Sequence, residues 1–305
     1  MLRLFSTFSF LALLTSLLLG AASAHAAKTP SPKVRVVTKS IKVSIAKMEG
    51  AQGFFQEAQS ATVSCKYPEM AVGSGIAASS RYIAGQSFGP SVVGGYATGA
   101  PGKVTVKMQA LCVRNGKVTH KRPPATTVPG MGGSVGGRPA GRATAKGSCG
   151  KGYVAVGAPL SQGFAPGYGS FSSTPFGARG WRVIVNGVPE QLSAMNITAA
   201  YADFSCVKAK RSQKKKLELE LSAAGAANGL VKCTGGRRAL GWGVELGTFT
   251  TWTPRDGAWN TPMVTRAQFV GTNMAFKFAT PPGADTSTAL GTKVTAHVVC
   301  GVITA

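Results

Sequence analysis

Apolar and polar positions alternate with period two in Ile41-Lys42-Val43-Ser44-Ile45 and in Leu217-Glu218-Leu219-Glu220-Leu221. Successive side chains of a strand point to opposite faces, so this pattern predicts half-buried strands. Leu and Glu also favour helix, but strict alternation over so short a stretch favours a strand. Trp181-Arg182-Val183-Ile184-Val185 is a further strand, and the Asn186-Gly187 just after it reads as a hairpin turn. Three more alternating runs each end on a cysteine: Val106-x-Met108-x-Ala110-x-Cys112, Ala200-x-Ala202-x-Phe204-x-Cys206 and Val294-x-Ala296-x-Val298-x-Cys300. The expected fold class is all-β.

Each closing cysteine has an opening counterpart. Cys65, Cys149 and Cys233 are followed at one fixed offset by Ala, an aliphatic residue and Gly: Ala71-Val72-Gly73, Ala155-Val156-Gly157 and Ala239-Leu240-Gly241. Opening cysteines recur every 84 residues (65, 149, 233) and closing ones every 94 (112, 206, 300). Such a period marks an internal triplication. A unit duplicated whole carries its own bridge, so the expected pairs are Cys65–Cys112, Cys149–Cys206 and Cys233–Cys300. Each would contribute about 4 kcal/mol in the chain-entropy account. The alternative, zinc, is disfavoured because no two cysteines stand at metal-ligand spacing. The recurring glycine is read as a strand-end bulge, a positive φ or a place where another segment comes close. No Lys-Ser/Thr helix comes after it, which argues against a phosphate cradle.

The organisation expected is a signal peptide over 1–26, a basic segment with a leading strand over 27–60, and a first β repeat over 61–113. A Gly/Pro/basic linker over 114–144, flexible around Met131–Gly137, leads to the second repeat over 145–207. A basic loop and strand over 208–228 precede the third repeat over 229–305. The repeats form either tandem beads or one pseudo-threefold body. In the first segment, Arg3, the short apolar run Phe8–Leu19 and the small residues at 22–26 carry the secretory reading. An exported chain without a later apolar span would be secreted or envelope-associated, where cysteines pair by default.

Charge then narrows the partners. Thirty-four Lys and Arg stand against 10 acids, a net charge of +24. The cations concentrate outside the cysteine-bounded segments, notably at Lys208, Lys210, Arg211, Lys214, Lys215 and Lys216. These six are the expected contacts to an anionic cell-surface or wall polymer, and charge alone would also bring non-specific nucleic-acid binding. Dedicated single-strand binding needs aromatic rings among the cations, and the runs 113–148 and 207–216 have none. The aromatics gather in mid-repeat, where Trp181, Trp252 and Trp259 are candidates for stacking on sugars in an alternative, lectin-like reading. Acids and the two later histidines, His120 and His297, are scattered without a nucleophile motif. No catalytic residue, metal site or cofactor is expected, so the chain reads as non-enzymatic.

An opening cysteine, a glycine-bearing strand end, a central Trp and an alternating close such as Val294-x-Ala296-x-Val298-x-Cys300, clearest in Cys149-Gly-Lys-Gly-Tyr-Val-Ala-Val-Gly157, resemble secreted cysteine/glycine-motif β-modules of high-GC Gram-positive bacteria. The likeness covers 61–113, 145–207 and 229–302. The proline those modules carry after the cysteine is absent here. The resemblance implies an exported, disulfide-bonded β-protein without assigned catalysis. The threefold repetition is also similar to β-prism proteins, in which three sheets share one core.

Overall fold

The computed structural model describes residues 30–45, 59–78, 83–88, 92–98, 102–124, 126–129, 142–157, 168–187, 197–200, 202–247, 262–280 and 286–305. The expected signal segment and Met131–Gly137 lie outside them. Met1–Pro30 and Ser31–Ala305 are separate units. The second unit is almost entirely β. The first part of the chain supplies β1 (Lys33–Ile45), β2 (Gln59–Ser64), β3 (Met70–Ala78), β4 (Ile83–Phe88), β5 (Val92–Thr98) and β6 (Gly102–Arg114). The middle supplies β7 (Val118–Lys121), β8 (Thr126–Pro129), β9 (Arg142–Ser148), β10 (Tyr153–Gly157), β11 (Tyr168–Phe176), β12 (Gly180–Gly187), β13 (Ile197–Ala200) and β14 (Phe204–Glu220). The last part supplies β15 (Ala226–Val231), β16 (Arg238–Leu246), β17 (Met263–Val270), β18 (Asn273–Ala279), one helical turn α1 (Thr286–Ala289) and β19 (Lys293–Ile303).

A six-stranded sheet runs β1-β6-β3-β17-β18-β15. An eight-stranded one runs β10-β14-β19-β16-β11-β12-β9, with β7 on β14. Two small sheets are β2-β5-β4 and β13-β8. The first sheet mixes strands of 61–113 with strands of 229–305, and the second mixes 145–207 with 229–305. Of the two arrangements left open, tandem beads does not hold: these segments complete one another's sheets, which beads on a string cannot do.

Alternation explains the core. In the closing strands Val106, Met108, Ala110, Cys112, Val294, Ala296, Val298 and Cys300 are all buried. Leu111, Val113 and Val299 on the opposite faces are buried too, because these strands are covered on both sides. The bridges are Cys65–Cys112, Cys149–Cys206 and Cys233–Cys300, with Cα atoms 5.6, 5.5 and 5.7 Å apart. In each, the alanine that opens the Ala-aliphatic-Gly motif lies opposite the closing cysteine: Ala71 to Cys112, Ala155 to Cys206 and Ala239 to Cys300. The ladder slips by one residue at the next position in β3 and β16, the bulge that the glycine permits.

Those glycines also serve close approach. A Cβ on Gly73 would collide with the Leu240 carbonyl, one on Gly241 with the Val156 side chain and one on Gly157 with the Trp181 indole. The three motifs thus meet in a seam at which β3, β10 and β16 each touch the other two. Trp242 Nε1 crosses it to donate to the Ser74 carbonyl at 2.8 Å. Gln109 does the same between β6 and β17, accepting from the Phe269 N–H at 2.8 Å and donating to its carbonyl at 3.3 Å.

Three expectations change. The stretch 114–144 is not wholly linker, since β7 and β8 lie within it and β9 begins there; β7 binds the edge of β14, with Thr119 opposite Cys206. The basic loop at 208–216 is strand: β14 runs unbroken from Phe204 to Glu220. Its cations have long apolar stems that tolerate an extended backbone, and β19 supplies the ladder from Ala209 to Glu220. Asn186-Gly187 is not a turn but the end of β12, paired with β9 and β11. The hairpin turns instead at residues 177–179, where Gly177 takes φ 51°.

Candidate polyanion-binding face

The six predicted cations share β14, which changes partners midway. Residues 204–208 lie between β7 and β10, whereas 209–220 pair with β19 alone among the described residues. Among the described residues no strand pairs with the far side of that second half, and lysines on such an edge deter pairing with another chain. Between Lys210 and Gln213 the register slips, and Arg211 turns to φ 51°. Lys210 and Arg211 are exposed at this bulge.

The other four reach the chain's own oxygens. Lys208 Nζ donates to the Ala305 carbonyl at 2.6 Å and Lys215 Nζ to the Lys232 carbonyl at 2.8 Å. Lys214 Nζ donates to the Gly177 carbonyl, and partial burial lowers its pKa. Lys216 is 2.5 Å from Glu218, whose hydrogen bond raises the lysine's pKa and lowers the acid's. The structure therefore gathers the six on one strand but leaves Lys210 and Arg211 the readiest to meet an outside anion.

Lys214, Lys216 and Glu218 alternate onto one face of the eight-stranded sheet. Lys216 lies opposite His297, whose Nε2 is 3.1 Å from Glu245 Oε1. Burial first, and the nearby charges of Lys216 and Lys214, lower the His297 pKa against the raising influence of Glu245. Glu245 is opposite Ser172 of β11, and Thr174, two residues on, lies opposite Arg182, itself opposite Lys146 of β9. The same face therefore continues onto the β11–β12 hairpin and ends at Phe176. Arg182 Cζ is 5.3 Å and Lys146 Nζ 5.9 Å from the centre of the Phe176 ring, which is 40 % exposed. Sequence reasoning missed this group because its members come from three strands.

The sugar-stacking assignment fails for Trp181. Its indole is fully buried on the inner face of the hairpin, held by Ser173 Oγ at 2.9 Å and packed where Gly157 leaves room. It presents no ring face to a ligand. Trp252 and Trp259 lie outside the described residues.

Among the described residues, three carboxylates pair with Lys or Arg, Glu218 with Lys216 as above. Glu69 takes two hydrogen bonds from Arg35 at 2.8 and 2.7 Å, and Asp203 takes two from Arg122 at 2.8 and 2.9 Å. Glu218 and Glu245 are engaged as above, and both act on Lys216. The chain matches no protein-family model, and no curated protein is significantly similar to it.

Proposed function

We propose that this is an exported, non-catalytic β-protein that associates with extracellular or envelope polyanions through the exposed basic stretch of β14 in its eight-stranded sheet. Three disulfides suit an oxidising compartment. Its body is three related units around one seam. Three strand triads support that arrangement, β1-β6-β3, β7-β14-β10 and the second half of β14 with β19 and β16, each placing its alanine opposite its cysteine. The observation that carries the function is the exposed stretch of β14, where Lys210 and Arg211 stand at a bulge on an edge unpaired among the described residues while the paired acids leave the cationic excess unneutralised. Counterion release from a polymer of negative charge would supply the affinity.

The test is retention on an immobilised anionic wall polymer by the variant Lys210→Gln/Arg211→Asn/Lys216→Gln. These residues are exposed, so stability should stay within about 0.5 kcal/mol per site. Retention at low salt should fall by roughly an order of magnitude or more. Unchanged retention with an unchanged fold would refute the reading.

A further inference from the structure

The two longest basic runs carry no aromatic residue, yet folding supplies one. Phe176, from the middle of the second segment, is set beside Lys146 of the first run and next to the turn that Lys214 of the second run grips. We infer that the outer face of the β11–β12 hairpin is a binding site for single-stranded nucleic acid, with Phe176 as the platform for one base and Lys146, Arg182 and Lys214 as partners of the flanking phosphates. This rests on the polyanion reading and narrows it to one partner.

Three features point to bases rather than sugars. The ring is open to solvent at the end of a strand and has two cations within 6 Å of its centre, the combination that stacks and neutralises a single strand. Arg182 Nε has no acceptor among the described residues, although it is shielded from water, and a guanidinium can stack on a base as well as bind phosphate. The side chains facing the ring offer donors of positive charge, whereas reading sugar hydroxyls calls for carboxylates and amides. Among the described residues, Lys146 and Arg182 make no ion pair.

The experiment uses the full mature chain with a fifteen-nucleotide oligo-dT, an abasic phosphodiester of the same length and an acidic polysaccharide. The native protein should prefer oligo-dT to the abasic strand by roughly 5- to 150-fold, the range of one stacked base. Phe176→Ala should abolish the preference, and Phe176→Leu, which keeps the apolar bulk without the π-face, should do the same. Lys146→Gln should weaken both strands alike and leave the preference intact. Equal binding of the two strands by native protein, or a full preference in Phe176→Leu, would overturn the inference while the polyanion reading stands. Polysaccharide binding that drops with Phe176→Ala as far as oligo-dT binding does would make this a sugar site and also overturn it. Failure to bind any of the three would remove both.

Discussion

Trp181 and Phe176 sit on one hairpin and meet opposite fates. Trp181 lies opposite Pro175 and faces inward, where Gly157 has given up its side chain to admit the indole. Phe176, opposite Gly180, faces outward and shares its ring with two cations. Composition alone would rank the tryptophan as the better ligand platform. Strand parity reverses that, since one residue's shift along a strand exchanges core for surface. The inner face is close-packed around Trp181, while the outer face at the hairpin's end carries Phe176 with Lys146 and Arg182.

The widest gap between the faces should appear in stability. Trp181→Ala opens a cavity and should cost about 3–5 kcal/mol in urea unfolding with the bridges intact. Phe176→Ala should cost less than about 1 kcal/mol, because a part-exposed ring with cation–π contacts has little to lose. Similar losses would erase the distinction. A sharper version uses glycine. Gly157→Ala drives a Cβ into the indole and should destabilise by about 1–3 kcal/mol, whereas Gly150→Ala, with no atom within 4 Å of the added Cβ, should stay within about 0.5 kcal/mol.

Smallest is the effect of pH on the far edge of the six-stranded sheet. Arg35 holds the Glu69 carboxyl below its ordinary value of 4.5, chiefly through their hydrogen bonds. The unfolded state therefore takes up that proton first as pH falls. The pair's contribution is whole above about pH 4.5 and disappears as pH drops through the depressed native value. Arg35→Gln should shrink the difference in urea midpoint between about pH 6 and pH 3 by a small amount, since the guanidinium is half exposed. An undiminished pH dependence would show that other carboxylates carry it.

Much of the architecture was legible because period-two alternation and fixed cysteine offsets are local signals. The first and third closing runs became β6 and β19, the second is split between the end of β13 at Ala200 and the start of β14 at Phe204, and the Ala-aliphatic-Gly motifs became β3, β10 and β16. The contact between those motifs was not legible, since Gly73 meeting Leu240 joins residues far apart in sequence. The run Lys208–Lys216 reads as loop from its charge, yet β19 imposes a ladder on it; tertiary pairing outweighs composition there. The site was half legible. Lys210 and Arg211 stood out by charge, but Phe176 acquired its cations only when β9, β11 and β12 came side by side.

The central claim is that polymer binding is electrostatic and resides on the exposed basic stretch of β14. A salt titration of affinity for an anionic polymer, run on the native chain and on Lys210→Gln/Arg211→Asn/Lys216→Gln, tests it most directly. The native protein should lose affinity steeply as salt rises, and the variant's slope of log K against log salt should be shallower by about two to three. A native slope near zero, or a variant slope equal to the native one, would contradict the account.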